Sequence, residues 1–291
     1  MPRLQIDLAP LPPNFPQDFL PDRSLLARLL DYAARNGGGT KVEIGQETGI
    51  PTGKSTGKVE PMIHYARGMG LVSAARERGR WQLHLTGIGA VVYSEDRYLD
   101  ETVTLWALHL LLCRRTWPSS QPAGIADPWF ALFAEGDVRL GNPFERSAYL
   151  AFLTERYSQK GYLRLLSGLV PRSYIESSCL AATNALSVAG PDVYRRHPAP
   201  SLEAYFPAYT SALFLAWDAL FPQDQQVGLD QLYRESGLLN VLGWKLAQAG
   251  PWMTWMVNRG FLQLDRLTGG VIALRLCETE VVVRGLYDEL A

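Results

Sequence analysis

Between Gly70 and Leu85 the hydrophobic period of this chain shortens from about 3.6 residues to 2, and no other feature restricts the fold so strongly. Upstream, Leu25, Leu26, Leu29, Leu30, Ala33 and Ala34 recur at helical spacing behind a cap at Asp22 or Ser24, and Asn36-Gly37-Gly38-Gly39 ends the run. Thr40 and Glu43 form a capping box that opens a short second helix ending at Gly49. A third helix begins between Val59 and Glu60, because Pro61 is tolerated only in a first turn; Met62, Ile63, Tyr65, Ala66 and Met69 give it an apolar stripe. Then the period becomes two: Leu71 to Arg76 is a strand, Glu77-Arg78-Gly79 a turn, and Trp81, Leu83 and Leu85 share one face of the return strand. Thr86 caps a further helix to about Tyr93. Three helices followed by a two-stranded ribbon is the order of a winged helix-turn-helix.

The last 80 or so residues repeat this plan: Tyr209 to Leu220, Leu229 to Ser236 and a stretch broken at Pro251 read as helices, Phe261 to Leu276 as a hairpin, and Thr279 to Leu290 as a final helix. Landmarks correspond: Gly49 with Gly237, Gly70 with Gly260, Leu85 with Leu276. Between the copies, Leu99 to Ala208 reads as all-helical, over Thr102 to Arg115, Pro128 to Glu135, Glu145 to Lys160 and Pro171 to Val188. The fold class expected is therefore mainly α with small β-hairpin wings. Its units are an N-terminal arm with a winged helix (1–98), a helical middle (99–208) and a second, winged-helix-like unit (209–291). The Pro-rich first 20 or so residues, with Pro10, Pro12, Pro13, Pro16 and Pro21, read as an irregular arm over the surface.

The 291 residues carry 28 Lys and Arg against 29 Asp and Glu, so any affinity for nucleic acid has to come from a local basic face. No apolar run approaches the ~20 residues of a membrane span, and the start lacks the apolar core of a signal peptide, so a cytoplasmic location is expected. Cys113, Cys179 and Cys277 are odd in number and far apart, which suits reduced thiols and excludes a CxxC-type metal site.

Such a local face is present. Thr52, Lys54, Ser55, Thr56 and Lys58 cluster at the entry to the third helix, where short hydroxyls and free amides can approach a phosphate. Gly53 and Gly57 remove side chains that would hold the backbone away. Arg76, Arg78 and Arg80 occupy alternate positions and are expected on one side of the hairpin, opposite Trp81, Leu83 and Leu85. The competing reading makes those arginines a solvated face that protects an edge strand. Gly49-Ile50-Pro51-Thr52-Gly53-Lys54-Ser55 also resembles a phosphate-binding P-loop. It has three residues between its glycines where four are needed, Pro51 removes an amide, and no buried strand precedes it. In the C-terminal copy, Trp244, Trp252, Met253, Trp255 and Met256 crowd the third element and read first as core, then as a protein-docking surface, and last as a DNA contact.

Catalytic constellations are poorer. His64, His84, His109 and His197 lack ligand spacing, and His109 in its apolar helix reads as a buried histidine hydrogen-bonded to backbone or carboxylate. Glu95-Asp96 and Asp100-Glu101 could hold magnesium but more simply favour the positive end of the following helix. Ser177-Ser178-Cys179 has no base in range and no nucleophile-elbow glycines.

The run Gly49-Ile50-Pro51-Thr52-Gly53-Lys54-Ser55-Thr56-Gly57-Lys58-Val59-Glu60-Pro61 resembles a bacterial family filed as domain of unknown function 4007. So do Tyr65-Ala66, Met69-Gly70-Leu71, Leu85-Thr86 with Gly89, Glu95-Asp96, and Leu105-Trp106 with His109, over about the first 135 residues. The family often has Asp-Pro-Tyr-Leu where this chain has Asp96-Arg97-Tyr98-Leu99, a departure that loosens the turn. Members are typically encoded beside DNA phosphorothioation and other anti-phage defence genes. The resemblance implies a DNA-binding or adaptor subunit of such a system. The expected partners are thus duplex DNA and a protein of a modification or defence system, with no membrane and with homodimerisation left open. No catalytic residue, cofactor or metal is expected. The alternative is a protein-protein adaptor whose tandem winged helices dock a modification or restriction enzyme.

Overall fold

A computed structural model describes residues 6, 9–53, 57–116 and 123–290, and of Leu267 only the backbone. Among the described residues about half are helical, and there are three small three-stranded antiparallel sheets. Its first third runs α1 (Arg23–Ala34), β1 (Gly38–Gly39), α2 (Lys41–Thr48), α3 (Val59–Gly68), β2 (Val72–Glu77), β3 (Arg80–Leu85) and α4 (Gly87–Glu95). Local chemistry fixes the boundaries. The Asp22 carboxylate accepts from the amides of Ser24 (3.0 Å) and Leu25 (3.2 Å) at the start of α1. Thr40 and Glu43 close their capping box at the start of α2, and Thr86 Oγ1 accepts from Gly89 N at 2.9 Å at the start of α4. β2 and β3 are joined by Arg78-Gly79, both at positive φ (48° and 81°), the two-residue turn whose twist suits a hairpin. Gly89 permits the close crossing of α4 over the hairpin's base: a Cβ there would fall 1.9 Å from Leu71 O.

The middle runs α5 (Thr102–Leu112), α6 (Asp127–Phe130), a π-helical turn (Ala131–Glu135), α7 (Gly136–Arg139), β4 (Phe144–Glu145), α8 (Arg146–Tyr157), α9 (Leu163–Arg172), β5 (Leu186–Gly190) and β6 (Val193–Arg196). It is not all-helical. β4, β6 and β5 form a sheet in that order, and the helix expected over Pro171 to Val188 is absent. Pro171 lies in the last turn of α9 rather than in a first turn, and Leu186–Gly190 pairs with Val193–Arg196 across Pro191-Asp192.

The last third runs α10 (Phe206–Leu220), β7 (Gln226–Gly228), α11 (Leu229–Ser236), α12 (Leu238–Leu242), α13 (Gly250–Asn258), β8 (Leu262–Leu267), β9 (Gly270–Arg275) and α14 (Thr279–Arg284). Pro251 starts α13 rather than breaking it. The sheet order β7-β9-β8 reproduces β1-β3-β2 of the first third. Gly49 and Gly237 are both left-handed helix caps (φ 68° and 66°).

One hydrophobic core joins all three stretches. The Trp106 and Tyr209 rings meet edge-on at 5.9 Å, and Thr104 Oγ1 lies 2.7 Å from Tyr287 Oη. The described part of the Pro-rich arm is irregular and lies over this core while contributing to it: Leu11 and Phe15 are buried, and Phe15 packs 4.9 Å from Tyr65 and 5.7 Å from Trp129. Among the described residues no helix is long and apolar enough to cross a membrane.

Candidate nucleic-acid interface

The N-terminal candidate surface is built from the loop between α2 and α3 and from the β2–β3 hairpin. Ile50 is buried and anchors the loop, and Lys58 N donates to Pro51 O at 3.0 Å to close it. Gly57 packs against the loop's own start: a Cβ there would meet Gly53 N at 2.9 Å. Thr52 and Gly53 are exposed, whereas Lys58 is half-buried with its ammonium 5.8 Å from the centre of the Phe19 ring. Lys54, Ser55 and Thr56 lie outside the described residues. The segment before the loop, Lys41–Thr48, is helix α2 and not the buried strand that a P-loop requires.

Helix α3 offers no exposed residue. Its least buried stripe, Glu60, His64 and Arg67, is partly covered by the Trp81 ring (5.6 Å from His64), by Arg76 and by Phe15 (5.9 Å from His64). The side of α3 nearest solvent is thus half-covered by the arm and the hairpin. Burial, with the Arg67 and Arg76 charges adding to it, lowers the His64 pKa to about 4.

The arginines of the hairpin do not share a side. Pairing sets Arg76 opposite Trp81 and Glu77 opposite Arg80, and directly opposed residues point the same way. Arg76 thus lies on the face of Trp81, with its guanidinium 5.3 Å from that ring and 3.0 Å from Glu60. Arg80 lies on the other face and reaches Glu43 at 2.9 Å. Arg78 sits at the exposed tip, with no acidic partner within salt-bridge reach among the described residues. Hairpin and loop do lie side by side, because Glu60 follows Lys58 by two positions. Two of the three arginines, however, are turned toward carboxylates.

The remaining chemistry-bearing residues have structural surroundings. The buried Asp96 carboxylate accepts from the amides of Asp100 (2.9 Å) and Glu101 (3.0 Å), holding the turn into α5. His109 is buried beside Tyr174 Oη (2.7 Å) and not beside a carboxylate, and burial lowers its pKa to about 3. Cys113 and Cys179 are buried, and burial raises both thiols. Among the described residues no group of three or more His, Cys, Asp and Glu converges on one point. Trp244, Trp252, Met253, Trp255 and Met256 are all buried.

One concavity escapes sequence reasoning, a groove of about 670 Å³ along α1 bordered by Arg23, Arg28, Asp31, Arg97 and Asp100. Its signal was the recurrence of Arg23, Arg28 and Arg35 on the polar face of the first helix. Asp31 takes Arg35 (3.2 Å) and Arg97 (3.0 Å), and Asp100 takes Arg23 (3.3 Å), so its charges largely cancel.

No family model matches the chain, and no curated protein matches it either. Among solved structures it is similar to a magnesium ion-bound SspB crystal structure, at a TM-score of 0.67 and 15% identity, over 95% of this chain and 87% of that one. A second SspB crystal structure matches at a TM-score of 0.65 and 15% identity, with the same coverage. The likeness extends over nearly the whole chain and shows that it has the fold of SspB.

Proposed function

We propose that this protein is a non-catalytic accessory subunit of a DNA phosphorothioation or related defence system, and that it binds duplex DNA without altering it. The fold shared with SspB and the resemblance carried by the Gly49–Pro61 run both point toward that context. The order α1-β1-α2-α3-β2-β3, with sheet order β1-β3-β2, is read as a winged helix. The observation that carries the DNA reading is the placement of the hairpin: Arg76 ties it to Glu60, two positions after Lys58 at the α3 entry, and Arg78 stands at its exposed tip; Thr52 and Lys58, with Lys54, Ser55 and Thr56 outside the described residues, are proposed to complete the surface. Binding then rests on phosphate contacts from loop and tip, not on insertion of α3. Arg76 and Arg80 contribute only by exchanging Glu60 and Glu43 for phosphate, an exchange that exposed ion pairs resist little.

Fluorescence anisotropy with plain and phosphorothioated duplexes across a salt series tests this. Arg78→Ala is expected to weaken binding about three- to tenfold and to reduce the salt slope by about one counterion. Unchanged affinity and slope in the Arg76, Arg78 and Arg80 triple alanine variant would remove the N-terminal surface from the reading. Duplex affinity absent at low salt, together with co-purification of a modification or restriction enzyme, would replace it with the adaptor function. That α3 offers no exposed residue is the observation that favours the adaptor.

A further inference from the structure

The two halves share a sheet order but differ in what their third helix presents. α3 has no exposed residue, whereas α13 exposes Pro251, Thr254, Val257 and Asn258, a stripe at helical spacing along one side. Its other side, Trp252, Met253, Trp255 and Met256, is buried, so the element is anchored. The approach to the helix adds exposed Lys245, Leu246 and Gln248, and its end adds Arg259. Arg266 and Thr268 are exposed near the tip of the β8–β9 hairpin, where Arg266 has no acidic partner within salt-bridge reach among the described residues.

We infer that α13 and this second hairpin are the groove-contacting surface for duplex DNA, with Thr254 and Asn258 facing base edges and Lys245, Arg259 and Arg266 facing phosphates. This rests on the duplex-binding reading above and adds a sequence-reading element, in the C-terminal half, to the phosphate contacts proposed for the N-terminal half. The chemistry favours a polyanion: among the described residues Arg266 has no acidic partner within salt-bridge reach, and Lys245 and Arg259 would meet phosphate by exchanging Asp137 and Glu289 for it. Between Ser236 and Asp265 the chain has no Asp or Glu, although acids and bases are nearly equal in number overall, 29 against 28. The exposed polar groups there are ammonium, guanidinium, amide and hydroxyl, the types that meet phosphates and base edges. Two acids reach the face from elsewhere in the chain. Asp137 meets Lys245 at 3.6 Å, with both side chains mostly exposed (68% and 84%), and Glu289 pairs with Arg259. Asp265 is the one carboxylate within the hairpin strand itself, and Gln263 Nε2 donates to it at 3.0 Å. A helix open along one side fits a major groove about 12 Å wide, where the apolar Val257 can meet a thymine methyl.

The test uses the full chain, a mixed-sequence duplex of about three helical turns in plain and phosphorothioated form, and anisotropy across a salt series. Thr254→Glu and Asn258→Glu place a carboxylate at exposed positions and are each expected to weaken binding at least tenfold. Asn258→Ala is expected to weaken it in the same direction by less, with an unchanged melting temperature. Lys245→Ala with Arg266→Ala should lower the salt slope by about two. Val188→Glu, on the exposed surface of β5, is the control expected to bind as the parent does. If both Glu variants bind within twofold of the parent while Arg78→Ala does not, this inference is overturned and the N-terminal reading stands. If the Glu variants lose duplex while Arg78→Ala retains it, the inference stands and the N-terminal surface falls. A parent chain with no duplex affinity overturns both, and retention of a protein partner that Thr254→Glu releases would make α13 a protein-docking face instead.

Discussion

Replacing Arg156 with alanine is expected to cost about 3–5 kcal/mol of folding stability, because it strands two carboxylates that were taken out of water with it. Arg156, on α8, donates from Nε and Nη2 to Asp127 at 2.6 and 2.7 Å and from Nη1 to Glu135 at 3.0 Å. Asp127 also accepts from Gly124 N at 2.9 Å and from Tyr157 Oη. The side chains of Asp127 and Arg156 are only 11% and 15% exposed, so little water replaces the lost guanidinium. Glu135 closes the π-helical turn, and burial already raises its pKa despite the neighbouring cation. In the alanine variant the loss of the cation raises it further, leaving Asp127 as the more strongly stranded charge. The consequence reaches beyond α8. Asp127 holds the 124–127 turn, and Ile125 in that turn accepts from Leu11 N at 2.9 Å, which ties the N-terminal arm over α3. Urea unfolding at neutral pH measures the loss; a decrease below 1 kcal/mol would show that solvent replaces the guanidinium. Arg156→Lys, which cannot span both carboxylates in a planar fork, is expected to recover only part of it.

What could be read in the sequence was what a few adjacent residues decide among themselves. The Thr40–Glu43 box, the Thr86 cap, the Leu229–Ser236 helix and both terminal hairpins depend on spacing within one or two turns, and the structure places each where that spacing does. What failed depends on pairing or on burial by distant segments. Arg76, Arg78 and Arg80 share parity in the sequence, but a two-residue turn pairs position 76 with 81, so equal parity on the two strands means opposite faces. The helix expected over Pro171 to Val188 does not form, and Pro171 sits in the last turn of α9. The short strand Leu186–Gly190 gains its identity from β6, which no local period announces. The α3 stripe suggested one free face, yet Phe15 from the arm and Trp129 from α6 complete its burial, and neither is near it in sequence.

Acidification is expected to destabilise the fold by about 5 kcal/mol between pH 6.5 and 4.5, because two imidazoles must stay neutral inside it. His109 is fully buried among Trp106, Phe133 and Tyr174, and burial lowers its pKa to about 3. His64 is held near 4, chiefly by burial between Phe15 and Trp81 and further by Arg67 and Arg76, with Glu60 opposing. Both folded values lie below the ordinary value near 6.5. In that interval the unfolded chain therefore binds up to two more protons than the folded one, and stability must rise with pH. The contribution is whole above about 6.5, and each imidazole forfeits about 1.4 kcal/mol per pH unit below it until its own folded pKa is reached. Glu135, whose pKa burial raises, works the other way and recovers a part of one proton. Urea midpoints from pH 7.5 to 4.5 measure the slope, and His64→Gln, at the less buried site, should reduce it by nearly one proton while His109 supplies the rest. A parent slope below half a proton across that interval would mean that at least one of these imidazoles finds water or a carboxylate in the folded chain. If His64→Gln then leaves the slope unchanged, the failing imidazole is His64, and the covering of α3, on which the choice of α13 as the open helix depends, would have to be given up as well.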